Sequence, residues 1–259
     1  MIDVHCHILP DIDDGAESLE DALEMGRKAV QDGVTAIVAT PHHRDGEFEN
    51  DDARVRDQVE RMKLELSAHG IPLRLLPGQE VRYYDGLLDD LERKRGVMTL
   101  NDSKYLLLEF PPQEVPSGIL EAMHEFRVLG IVPIIAHPER NKEIAADPSL
   151  MERLVQAGAL GQVTSQSLIG GFGNRVQTTA LRLCRQNLIH LVASDAHGMR
   201  RRPYRMKEAY GLVKDVLGGN VVDYYRLNAQ LVVEDGMIER MEPSTARRKW
   251  WNFWKRGHD

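Results

Sequence analysis

His5 and His7 stand two residues apart in "MIDVHCHILPDIDDG", and Asp11, Asp13 and Asp14 follow them closely. In a strand, residues two apart share a face, so the two imidazoles project together and Cys6 points the other way. Imidazoles beside carboxylates can hold a metal ion, but one His-x-His carries little weight alone. Similar donors recur downstream: His42 and His43 in "TPHHR", Glu80 in "PGQE", Glu109 in "LLLEF", His137, Glu139 and Arg140 in "AHPER", and Asp195 and His197 in "ASDAH". A cysteine-phosphatase loop, C-x5-R, is absent. Six residues after Cys6 comes Ile12, and six after Cys184 comes His190. Cys6 therefore reads as a small buried spacer on the face away from the histidines.

The elements that must position these donors alternate. Apolar, strand-like runs are predicted at 2–7, 35–40, 73–78, 104–110, 131–137, 159–164 and 189–194. Between them lie longer patterns with apolar residues at helical spacing, five of six ending in glycine. Ser18 with Asp21, and Pro148 after Asp147, mark helix starts. Repeated β-then-α units favour a parallel sheet covered by helices. No G-x-G-x-x-G follows the first strand, which argues against a dinucleotide-binding sheet and for a closed or nearly closed β/α barrel. In such barrels functional residues gather at the C-terminal ends of the strands. His5 and His7, His42 and His43, Glu80, Glu109, His137 with Arg140, and Asp195 with His197 all fall at that end of their predicted strands.

The remaining histidines behave differently. His190 starts its strand, His124 lies mid-helix, His69 precedes the helix-ending Gly70, and His258 is near the C-terminus. These read as structural or solvated. The converging donors contain no thiolate, a mixture that suits Mn²⁺, Fe²⁺ or Zn²⁺. They are too many for one ion, so two or three ions, some sharing a carboxylate, are expected.

Composition sets the wider frame. The chain has 259 residues, 42% hydrophobic and 28% charged, with a formal net charge of −7. That is an ordinary globular balance, and it argues against a general nucleic-acid binder. No apolar run approaches the ~20 residues of a membrane span, and the N-terminus lacks the pattern of a signal peptide. Two cysteines offer no disulfide framework, so a reducing cytoplasm is the expected compartment. Residues 1–242 read as one domain. Residues 243–259, "PSTARRKWWNFWKRGHD", contain all three tryptophans among basic residues. This tail reads either as an interfacial anchor for an anionic membrane or as a short helix folding onto the barrel or a neighbouring subunit.

The stretches "DIDDG", "TPHH", "TLNDSKYLLLEF", "IIAHPERN", "QVTSQSLIGGFG" and "LVASDAHGMRRRP" together resemble the polymerase and histidinol phosphatase (PHP) superfamily. More narrowly, they are similar to bacterial metal-dependent protein-tyrosine phosphatases of capsule and exopolysaccharide clusters. The resemblance spans about residues 1–205. It implies an α/β fold, a distorted (β/α)7 TIM-like barrel, and a trinuclear centre with Mn²⁺ as the first expectation. One ion would take His5, His7, Glu80 and Asp195, and a second Glu80, Glu109 and His137. The third would take Asp14, His42 and His197, with Asp14 preferred over Asp11 and Asp13. Arg140 and Arg202 match the phosphate-binding arginines of the family, and His43 remains a candidate supporting residue. The implied reaction is hydrolysis of phosphotyrosine on a protein, with a membrane-associated tyrosine kinase as the expected partner. Two alternatives stand beside it: a phosphatase of a small phosphomonoester such as histidinol phosphate, and a metal-stabilised module that docks on a kinase without catalysis.

Overall fold

The computed structural model describes residues 1–241, and the basic, tryptophan-rich tail at 243–259 lies outside them. Its strands are β1 (Ile2–Cys6), β2 (Ala36–Ala39), β3 (His42–His43), β4 (Arg74–Pro77), β5 (Glu80–Arg82), β6 (Tyr105–Glu109), β7 (Val132–Ala136), β8 (Leu160–Thr164) and β9 (Leu191–Ala193). All pair in parallel, in the orders β1-β2-β4 and β3-β5-β6-β7-β8-β9.

The expected runs at 35–40 and 73–78 are each followed, after a break, by a second short strand. Pro41 has no N–H to donate to a ladder, and the break after β2 falls at Thr40–Pro41. The break after β4 falls at Gly78–Gln79, where a Cβ on Gly78 would come within 2.7 Å of Val38 Cγ1. Pairing then resumes, with the Pro41 carbonyl accepting from Glu80 N at 3.1 Å and His42 in register with Glu80. Counting β2 with β3 and β4 with β5 gives the seven positions expected. The ring closes between β1 and β9 through a Cys6–Ala196 bridge, with Asp195 N donating to His5 O at 2.9 Å.

Alternation along the strands separates two environments. Val4, Val38, Leu107, Ile134, Leu160 and Leu191 form one buried cluster inside the ring. Leu106, Leu108, Ile135, Val163 and Val192 belong to the other, between the strands and helices such as Leu19–Gln31 and Ile119–Val128. Two residues beyond Leu107 and Leu160 the same faces carry Glu109 and Gln162, and Asp195 follows just past the end of β9. Strand β1 breaks the rule once. Its register shifts between Asp3 and Cys6, a bulge that turns both Val4 and His5 inward and leaves Cys6 in the outer cluster.

The bottom of the barrel is closed by the helix Gly219–Val233, with Asn228 Nδ2 donating to His190 O at 2.9 Å. Ser18 caps the helix Leu19–Gln31 by accepting from Asp21 N, as its sequence suggests. Among the described residues no helix is long and apolar enough to cross a membrane.

Candidate metal centre

At the C-terminal mouth the donors converge into three overlapping groups: His5, His7, Glu80 and Asp195; His7, Asp14, His42 and His197; and His42, Glu80 and Glu109. Within each group one ligand atom per residue lies within 4.8 Å of the others. Glu80 is the hub. Its Oε2 lies 3.2 Å from both His5 Nε2 and His7 Nε2 and 3.1 Å from His42 Nδ1, while Oε1 meets His137 Nε2 at 2.8 Å.

Two groupings differ from expectation. His42 stands between sites, presenting Nδ1 to Glu80 and Glu109 and Nε2 to Asp14. His137 lies beside the Glu80–Glu109 pair, 3.7 Å from Glu109 Oε1, without joining that group of three. His7 joins the Asp14 set because its ring stacks on His197 with centroids 3.7 Å apart. His43 belongs to no group, although both its ring nitrogens are buried without a hydrogen-bond partner.

The backbone makes this convergence possible at some cost. His137 and Asp195 both adopt positive φ, 33° and 51°, a conformation unfavourable for non-glycine residues and concentrated at functional sites. Gly15 returns the "DIDDG" turn against β1, where a Cβ would sit 2.2 Å from His7 O. No side chain other than hydrogen fits there.

A further layer of contacts aims the imidazoles. His5 Nδ1 donates to Gln162 Oε1 at 2.8 Å, His7 Nδ1 to Asp13 Oδ2 at 2.7 Å, and His197 Nδ1 to Asp195 O at 3.0 Å. Each leaves Nε2 as the free lone pair facing the cluster, the usual way a metal-binding histidine is fixed. Asp13 also accepts from Gly15 N and His42 N. Sequence reasoning passed over Asp13, although its place in the same turn was a signal. It also passed over Gln162, a lone polar residue on an inward strand position, and Arg82, which follows Glu80 by two residues. Arg82 donates through Nε and Nη2 to Glu109 at 2.9 and 2.8 Å. Asp13→Asn is expected to lower activity about 10- to 100-fold while the fold persists. Unchanged activity, with circular dichroism matching the parent, would remove Asp13 from this role.

Electrostatics reflect crowding of opposite charges. Burial by itself would push His5 and His42 down, but Glu80, with Asp195 at His5 and Asp14 at His42, raises them to about 9 and about 10. Burial, reinforced by Arg140 at His137 and His7 at His197, pushes both of those imidazoles down to about 4. Burial and neighbouring Glu80 lift Glu109 to about 7, whereas Glu80, despite its burial, is held well below the usual range by His5 and His42. Burial opposes ionisation of Asp195 too, but Arg140 and His5 hold it low.

The donor set fits divalent cations. His5 Nε2 and His7 Nε2 are 3.1 Å apart, the spacing of neighbouring ligands each about 2.1 Å from one ion. Glu80 Oε2 and His42 Nδ1 are buried with no hydrogen-bond partner.

Arg140 donates to Asp195 Oδ2, and Arg202 Nη1 lies 3.4 Å from both Asp195 oxygens. Of the run Arg200–Arg202, Arg202 is the one whose guanidinium reaches Asp195 and His197. Arg200 and Arg201 line an adjoining groove of about 480 Å³ with Asp14 and Met199. Cys6 is fully buried, its thiol pushed well up by burial and Asp3, and Cys184 is pushed by burial to about 12. Neither is a nucleophile. His190 sits at the far end, accepting from Gly161 N, as a structural residue does.

Residues 1–234 match the family described as capsular polysaccharide synthesis, CpsB/CapC. The tyrosine-protein phosphatase YwqE of Bacillus subtilis is 43% identical over 249 residues, covering 96% of this chain and 98% of that protein. The tyrosine-protein phosphatase CpsB of Streptococcus agalactiae is 33% identical, covering 92% and 100%. A crystal structure from a study of YwqE and Streptococcus pneumoniae CpsB, described as unique metal-dependent tyrosine phosphatases, superposes with a TM-score of 0.92 at 43% identity, covering 94% and 98%. The Mycobacterium tuberculosis phosphotriesterase, at 12% identity and a TM-score of 0.56 covering 91% and 95%, shares the fold alone.

Proposed function

The chain belongs to the CpsB/CapC family of capsular polysaccharide synthesis, and we propose that it is a metal-dependent phosphatase hydrolysing phosphotyrosine on proteins. The observation that carries the reading is the convergence of three donor groups at one barrel mouth, flanked by Arg140 and Arg202. His5, His7, Asp14, His42, Glu80, Glu109, His137, Asp195 and His197 are the proposed ligands of two or three divalent ions. Mn²⁺ is the favoured ion and Fe²⁺ or Zn²⁺ the alternatives, because the donors mix imidazole and carboxylate without thiolate. Such ions supply Lewis acidity and lower the pKa of nearby water toward ~7.

The chain's own residues do the rest. Arg140 and Arg202 grip two non-bridging phosphate oxygens, where a planar guanidinium donates in pairs and offsets charge gathered at phosphorus. Both arginines already lie against Asp195, so a phosphate gripped by them is held at the edge of the donor cluster. Arg82 holds Glu109 in place from the side. With both thiols buried and protonated, no cysteinyl phosphoenzyme forms. A tyrosine leaving group has a pKa near ~10 and departs with less protonation than an alkoxide needs.

The substrate is proposed to be a membrane-associated tyrosine kinase, with the protein in the cytoplasm. Basic, tryptophan-rich residues 243–259 support contact with anionic lipid by composition. Deleting residues 244–259 is expected to abolish sedimentation with anionic liposomes and to leave turnover of a soluble peptide unchanged. Continued sedimentation of the truncated protein would reject that contact. The function itself is tested by assaying the Mn²⁺-loaded protein on phosphotyrosine peptides, phosphoserine peptides and histidinol phosphate. Preference for phosphotyrosine supports the proposal, and preference for histidinol phosphate replaces it with the small-molecule alternative.

A further inference from the structure

The segment after β8 spends three glycines on placing one aromatic ring. Gly170 and Gly173 adopt φ of 84° and 89°, a region that favours glycine, and they bracket Phe172. Gly171 passes so close to Gln166 that a Cβ would lie 2.2 Å from Oε1. The turn is pinned at both ends: Gln177 Nε2 donates to Leu168 O at 2.8 Å, and Gln166 Nε2 to Pro203 O at 2.9 Å, next to Arg202. Phe172 is half-buried, and the guanidinium carbon of Arg140 lies over its ring, 5.4 Å from the centroid. The same guanidinium donates to Asp195 within the donor cluster.

An apolar ring held at the lip of so charged a mouth calls for a ligand with an apolar part. Resting on the phosphatase reading above, we infer that Phe172 is a specificity-determining residue that contacts the aryl group of the substrate. A phosphate gripped by Arg140 carries its ester group outward past the guanidinium, toward the ring stacked against it. A phenyl ester there meets Phe172 at the offset or edge-on separations that aromatic pairs adopt, whereas an alkyl ester leaves the ring without an aromatic partner. Phe172 thereby contributes preference for aryl over alkyl phosphates, in addition to shielding the cation.

Titration calorimetry of the Mn²⁺-loaded protein with phenylphosphonate and methylphosphonate isolates this contact, since the two share one anionic head. The parent protein is expected to bind phenylphosphonate about 3- to 10-fold more tightly than methylphosphonate. Phe172→Ala erases that preference, Phe172→Leu reduces it, and Phe172→Tyr keeps it. No preference in the parent, a preference that survives in Phe172→Ala, or equal loss of affinity for both ligands would overturn the inference; the last would leave Phe172 as a support for Arg140. Binding does not require turnover. A protein that shows this preference yet fails to hydrolyse phosphotyrosine would refute the proposed function and leave the aryl contact standing.

Discussion

Glu80→Gln is expected to lower hydrolysis of a phosphotyrosine peptide by about 10³-fold or more and to strip bound metal from the protein. Its two oxygens lie within 3.2 Å of nitrogens from four histidines at the mouth, His5, His7, His42 and His137. It is fully buried, so no water replaces its charge. Glutamine keeps the shape but brings a neutral amide whose N–H₂ faces imidazole nitrogens or cations. Ions shared through Glu80 lose their common carboxylate, and Lewis acidity worth several kcal/mol is lost with them. The register pairing of His42 with Glu80 rests on backbone, so the fold is expected to survive. Metal content by mass spectrometry and turnover are read together. Near-parental values of both would show that Glu80 is not the hub.

Arg140→Ala is the counterpart, predicted to lower kcat/KM about 10²- to 10³-fold with metal retained. In the proposed site its guanidinium would provide charge-assisted hydrogen bonds to phosphate, and alanine would leave the equatorial oxygens with Arg202 alone. Removing a cation beside Asp195 does not weaken that carboxylate as a ligand, which separates this variant from Glu80→Gln. Arg140→Lys is expected to recover only part of the loss, because an ammonium lacks the planar fork. Full activity in Arg140→Ala would take the residue out of substrate binding. Loss of metal together with activity would make Arg140 a support of the centre.

The barrel and the end of it that carries chemistry were readable because both follow from alternation. Strand residues two apart share a face, so Leu107 and Glu109 had to point inward together, while Asp195 lies just past the end of β9. Asp13 escaped because consecutive acids in a turn cannot be ranked by spacing. Which of them reaches His7 and which reaches the rim depends on the close return of Gly15. The double position of His42 depends on the break at Pro41 and the resumed pairing with Glu80, a register that no local pattern encodes. Helices Met206–Leu217 and Gly219–Val233 also went unassigned. They follow the last readable strand, so no β/α rhythm marked them, and the place of Gly219–Val233 at the barrel floor arises only from tertiary packing.

On the proposed reading, phosphotyrosine hydrolysis depends on several ions held by one set of imidazoles and carboxylates. Metal counting on the purified protein is paired with phosphotyrosine-peptide turnover before chelation, after chelation and after Mn²⁺ is restored. Two or three ions per chain, loss of turnover as they are removed and recovery when they return are the expected results. Undiminished turnover by protein stripped of metal would contradict that reading.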